Sequence, residues 1–184
     1  MGISKLAGMR SKDPNTQVGA CIVSEDNNIL SMGYNGFPKG CSDDDFPWDR
    51  EGDMLHSKYA YVTHSELNAI LNFRGGSLEG SKLYVSLFPC NECAKAIIQS
   101  GIKTVIYDSD KYNGTPGNTA AKRMFDAAGV TYVKYEHTGS KEHTHCRLSA
   151  KFGLYARETT RQQPLVQIAV ERGKGCLLQG KHRT

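Results

Sequence analysis

The residues Lys82-Leu83-Tyr84-Val85-Ser86-Leu87-Phe88-Pro89-Cys90-Asn91-Glu92-Cys93 decide how the rest of the chain is read. Lys82–Leu87 is a short run of strand type, and Pro89 fits the first turn of a helix, where its missing N–H costs nothing. Cys90 and Cys93 then lie three apart at the helix start, on one face. They also sit at the positive end of the helix dipole, which favours the thiolate. The helix runs on through Ala94, Ala96, Ile97 and Ile98 and stops at Gly101, a suitable residue just past a helix end.

Working outward, the same alternation of strand and helix continues on both sides. Upstream, His64 to Phe73 reads as a helix with Leu67, Ile70 and Leu71 on its apolar face. Val18–Val23 and Ile29–Tyr34 are strands joined by the turn Asp26-Asn27-Asn28, which predicts a hairpin. Ser11–Thr16 is turn chemistry, and residues 4–11 form the remnant of a helix. Downstream, Thr104–Tyr107 and Val130–Tyr135 are strands. Between them Asn118 or Thr119 caps a helix carrying Ala120, Ala121, Met124, Phe125 and Ala128, closed by Gly129. The order ββαβαβαβ predicts an α/β sandwich whose helices cover a mixed sheet. Two stretches fall outside this pattern: the glycine-punctuated loop Asn35–Gly40, and the acidic segment Ser42–Asp53 with the only tryptophan, Trp48. Irregular segments of that length tend to be lids or binding loops.

The chain of 184 residues suggests one domain, at 1–138, followed by a tail at 139–184 that is basic, rich in Gly, Gln, Thr and Arg, and expected to be disordered. Residues 1–135 carry 14 Lys/Arg against 15 Asp/Glu, a net charge of −1, whereas residues 136–184 carry 9 against 4, a net charge of +5. The basic excess is therefore confined to the tail, and the charge of the domain argues against a nucleic-acid partner. No apolar run reaches the roughly 20 residues that cross a bilayer. The start, Met1–Ala7, lacks the long apolar stretch of a signal peptide, so a soluble cytoplasmic protein is expected. In that setting Cys-x-x-Cys points to metal or redox chemistry rather than a disulfide. Cys21 fits a buried thiol, and Cys41, Cys146 and Cys176 have no telling spacing.

A Cys-x-x-Cys alone fits a redox pair or half of a structural zinc site. His64-Ser65-Glu66 changes the balance. One imidazole and two thiolates make a neutral three-ligand zinc site, assuming a divalent ion, with the fourth position open to water. Such an ion acidifies that water, and Glu66, two residues from a ligand, is placed to act as proton shuttle. His-x-Glu with Pro-Cys-x-x-Cys is the signature of zinc-dependent nucleobase deaminases. No second Cys-x-x-Cys exists to complete a structural four-cysteine site.

Four stretches carry a more specific likeness: Ser11–Ala20, Gly33–Asp43, His64–Ile70 and Leu87–Cys93. Over roughly residues 6–135 the chain resembles the deoxycytidylate (dCMP) deaminase family within the cytidine and deoxycytidylate deaminases. The resemblance implies a cytidine-deaminase-like three-layer α/β/α sandwich on a five-stranded mixed sheet. It implies zinc on His64, Cys90 and Cys93 and conversion of dCMP to dUMP and ammonia for thymidylate synthesis. It further implies a homohexamer regulated by dCTP and dTTP, with Mg2+ accompanying the nucleotide. By the same likeness Asn35 contacts the sugar, and the loop holding Asn35, Gly36, Lys39, Gly40 and Ser42 helps form the effector site. Members of the family carry a longer N-terminal helix, so one sheet face is expected to be less covered here. The ending after Glu136 departs from the family pattern.

A 5′-phosphate needs N–H groups and cations, which Ser11, Lys12 and Thr16 offer from their loop, and Lys111 and Tyr112 from the loop after the fourth strand. Two other functions remain on the sequence alone. One is a zinc-stabilised nucleotide-binding subunit without turnover, against which Glu66 speaks. The other is deamination of a base in RNA or single-stranded DNA, against which the domain charge speaks.

Overall fold

The computed structural model describes residues 1–137, so the tail expected at 139–184 lies outside the described residues. The core is a five-stranded sheet built from β1 (Gly19–Val23), β2 (Ile29–Tyr34), β3 (Lys82–Leu87), β4 (Thr104–Ser109) and β5 (Thr131–Lys134), in the order β2-β1-β3-β4-β5. β1 pairs antiparallel with both β2 and β3, while β3–β4 and β4–β5 are parallel, so the sheet is mixed. The antiparallel pair β1–β2 needs only a tight turn, in which Asn27 adopts φ 65°, a left-handed conformation that asparagine tolerates. The parallel pairs need crossovers, and α3 (Asn91–Gln99) and α4 (Pro116–Ala128) supply them.

The helices pack on both faces. α1 (Gly2–Gly8) contacts β1, β2 and β3 from one side, while α2 (Ser65–Asn72), α3 and α4 form a continuous layer on the other. The register of β1 and β2 explains how both helices come close. Gly19 pairs with Tyr34, and Ala20 with Gly33, so the two glycines face opposite sides. A Cβ on Gly19 would strike the Ser4 carbonyl and Gly8 of α1, and a Cβ on Gly33 would strike Ala69 and Ser65 of α2. Between the sheet and α2–α4 lies the core: Ile22, Leu83, Val85, Phe88, Ile97, Val105 and Phe125 are all buried. On the other face α1 is the cover that the described residues provide, and Met32 and Val133 are exposed.

Several boundaries differ from the sequence expectation. α1 ends at Gly8, because Ser11–Thr16 is already committed to a turn around Asp13. Cys90 rather than Pro89 stands at the start of α3 as its N-cap, so Pro89 precedes the helix. α4 starts earlier than Asn118. Thr115 accepts a hydrogen bond from the Asn118 N–H and Pro116 occupies the first turn, a stronger start signal than either residue expected. Gly129 closes it with φ 66°, as expected. The segment after Trp48 contains two short 3-10 turns, Met54–His56 and Lys58–Ala60. An aromatic cluster holds it in place, with Phe37 against Trp48 at 4.2 Å and Phe46 against Tyr61 at 5.0 Å. No described helix is long and apolar enough to cross a membrane.

Candidate active site

Three elements converge where β2 and β3 end, beside the start of β1. Gly36 and Thr63 form a two-bond bridge, 3.1 and 2.9 Å, which fixes the residue before His64 against the end of β2. His64 is the N-cap of α2 and Glu66 lies in its first turn. Cys90 is the N-cap of α3 and Cys93 follows in its first turn. Both helices thus direct their N-termini, and their dipoles, at one point.

His64 Nδ1 lies 3.4 Å from the sulfur of Cys90 and 3.4 Å from that of Cys93. The three donor atoms all fall within 4.8 Å of one another. A tetrahedral ion with nitrogen at about 2.0–2.1 Å and sulfur at about 2.3 Å holds such atoms roughly 3.5 Å apart, so the set fits zinc. Hydrogen bonds from Cys93 and His64 bring the Cys90 thiol down to about 4, against its burial. His64 rises to about 9, chiefly through its hydrogen bond with Cys90, and Cys93 is pushed up by its bond with Cys90 and by burial. A divalent cation held by His64, Cys90 and Cys93 would displace those shared protons.

Glu66 is 4% exposed, and Ser65 Oγ donates to its Oε2 at 2.8 Å. Burial raises its carboxyl above the ordinary range, an effect the neighbouring His64 only partly offsets. A carboxyl poised to hold and release a proton is what general acid–base chemistry asks for.

His64, Glu66 and Cys90 line a cavity of about 230 Å³. Of the expected substrate residues, Thr16, Asn35 and Tyr112 line it as well. Asn35 is buried, with both amide N–H groups engaged: its Nδ2 donates to Asp13 Oδ2 at 3.1 Å and to the Thr16 carbonyl at 3.0 Å, and its Oδ1 accepts from the Val18 N–H at 2.7 Å. Lys111 is exposed and does not itself line the cavity, but it donates at 3.2 Å to Oγ1 of Thr16, which does. Ser11 is buried away from the cavity, its hydroxyl accepting from the Asp13 N–H. Lys12 is exposed and paired with Asp43 at 2.8 Å. In the loop expected to bind effectors, Gly36 is buried while Lys39, Gly40 and Ser42 are exposed, and none of them lines the cavity.

Sequence reasoning missed Asp13, Arg50, Lys58 and Tyr59, which also line the cavity. Lys58 and Asp13 form a buried ion pair, and Asp13 in turn receives Asn35. Lys58 lies 45 residues from Asp13, so no local spacing could reveal the pair. The remaining signal was the length and irregularity of the segment that carries Arg50, Lys58 and Tyr59.

The family model described as "Cytidine and deoxycytidylate deaminase zinc-binding region" matches residues 1–109. The chain is 56% identical over 136 residues to deoxycytidylate deaminase of Pongo abelii, a match covering 73% of this chain and 76% of that protein. It is 57% identical over 141 residues to the probable deoxycytidylate deaminase of Drosophila melanogaster, covering 73% and 70%. Among solved structures, dCMP deaminase from the cyanophage S-TIM5 in complex with dCMP and dUMP aligns with a TM-score of 0.58 and 27% identity, covering 73% of this chain and 92% of that one. With its five-stranded mixed sheet and its clustered His64, Cys90 and Cys93, the chain belongs to the cytidine and deoxycytidylate deaminase family.

Proposed function

We propose that this chain hydrolyses dCMP to dUMP and ammonia. The observation that carries the proposal is the buried Glu66 carboxyl in a cavity that it shares with His64 and Cys90. The relatives' names supply the substrate class, and the cavity adds a polar wall around Asn35. Zinc held by His64, Cys90 and Cys93 would supply a Lewis acid that acidifies water towards neutral pH.

The chain's own residues perform the proton transfers. Glu66 takes a proton from the attacking water and delivers it to N3 of the base. A second proton from the same water passes through Glu66 to the departing amino group, so one water and dCMP become dUMP and ammonia. Its raised pKa suits both directions of transfer. Burial of Glu66 keeps competing water from its carboxyl. Asn35 Oδ1 retains a lone pair beyond its bond with the Val18 N–H, which fits a sugar hydroxyl. The family likeness supports the finer expectations: dUMP supplied for thymidylate synthesis in the cytoplasm, a homohexamer, and regulation by dCTP and dTTP with Mg2+ at the loop from Asn35 to Ser42.

The test is ammonia release by purified, zinc-loaded protein offered dCMP, deoxycytidine and a cytosine-containing oligonucleotide. Release from dCMP supports the proposal. Release from the oligonucleotide alone would assign the chain to nucleic-acid deamination instead.

A further inference from the structure

Charges along the cavity are sorted by burial. The buried part holds Glu66 and the Asp13–Lys58 pair, in which each charge is matched. The exposed part holds Arg50, Tyr59 and Tyr112. Among the described residues Arg50 makes no ion pair; its Nε instead donates to the Tyr59 hydroxyl at 3.3 Å. Lys111, also outside any described ion pair, donates to Thr16 Oγ1 and lies 4.9 Å from the ring centre of Tyr112. Two cations at the rim are thus positioned by hydroxyls of cavity-lining residues and carry no carboxylate.

We infer that Arg50, positioned by Tyr59, is the specificity-determining residue that distinguishes a nucleoside monophosphate from a nucleoside, with Lys111 as the second cation. The inference rests on the proposed reading of the cavity as a cytosine-nucleotide site. A guanidinium has five N–H donors in a rigid fork. With Nε given to Tyr59, the two terminal nitrogens stay free to make parallel bonds to two phosphate oxygens. A phosphate ester carries about −1.5 to −2 charges near pH 7, which two cations balance. Asp49 and Glu51, next to Arg50 in the chain, are exposed and do not line the cavity.

The experiment measures binding rather than turnover. Zinc-loaded full-length protein carrying E66Q, which does not consume the ligand, is titrated calorimetrically with dCMP, deoxycytidine and inorganic phosphate. R50Q and R50K are added to that background, with zinc content and melting temperature recorded for each. R50Q is expected to weaken dCMP about 10- to 100-fold, the range lost with a charged hydrogen-bonding partner. Deoxycytidine should stay within about twofold, and R50K should fall between the parent and R50Q, because lysine keeps the charge and loses the fork. Inorganic phosphate should compete with dCMP in the parent and not in R50Q. Unchanged dCMP affinity in R50Q, an equal loss for dCMP and deoxycytidine, or a parent that binds no dCMP would overturn the inference. Failure of the proposed function shows differently: dCMP bound through Arg50, yet no ammonia from the protein with Glu66 intact.

Discussion

A proton taken from water must be held somewhere until the base and its leaving group need it, and in the proposed reaction Glu66 is the holder. Replacing it with glutamine keeps the shape and removes the titratable carboxyl. E66Q is therefore expected to keep its zinc content, measured by elemental analysis, and to lose kcat by at least about 10²-fold, the lower range for general acid–base catalysis. A second residue-scale outcome concerns Lys58, whose removal strands the buried Asp13 carboxylate. K58A should destabilise the fold by about 3–5 kcal/mol in urea unfolding, as for other broken buried pairs. Asp13 also sets an acid limit. Burial pushes its carboxyl up, but hydrogen bonds from Lys58, Asn15 and Thr16 outweigh burial and hold it below 3.8. Its stabilising contribution is thus complete above the unfolded value of 3.8 and disappears as pH falls through the lower folded value. The stability gap between wild type and D13N should therefore be full at neutral pH and close in acid below 3.8. At this scale the sequence was most legible where function sits on short spacings. His64, Glu66, Cys90 and Cys93 announce themselves within two helix starts, whereas Asp13, Arg50 and Lys58 come to line one cavity only after the chain has folded.

At the scale of elements, the two sheet glycines separate support for the site from support for the fold alone. Gly33 lets α2, with His64 at its cap and Glu66 in its first turn, lie against β2. Gly19 does the same for α1, which carries none of the expected site residues. Overpacking costs about 1–3 kcal/mol in either place. G33A should lower both melting temperature and kcat, because displacing α2 moves Glu66 relative to the cysteines. G19A should lower melting temperature while kcat per folded molecule stays near wild type. Equal kcat losses in both variants would contradict this division. The strands were readable from their apolar runs, and β2, β3 and the glycine stops of α3 and α4 fall where the sequence put them. The starts of α3 and α4 were less so. A proline suits either the first turn or the position before a cap, and a Thr-Pro pair at 115–116 competes with the Asn-Thr pair at 118–119.

For the whole molecule, the sheet carries the site as a meeting of helix N-termini from α2 and α3, and an ion held by His64, Cys90 and Cys93 would tie the two helices together. Metal binding then contributes to folding stability. With free zinc at about 100 times its dissociation constant, stabilisation should approach 2.7 kcal/mol, seen as a higher melting temperature that chelation reverses. C93S should show a smaller rise, since one thiolate is lost from the set. The fold rests on the long-range order β2-β1-β3-β4-β5, which the alternation of strands and helices foreshadowed without fixing the neighbours. The central claim, that this architecture uses Glu66 to deaminate dCMP, is tested most directly by one comparison. Ammonia and dUMP are measured from dCMP incubated with zinc-loaded wild-type protein and with zinc-loaded E66Q. The account predicts product from the wild type and a loss of at least about 10²-fold in E66Q at equal zinc content. Intact dCMP in the wild-type reaction, or undiminished turnover by E66Q, would contradict it.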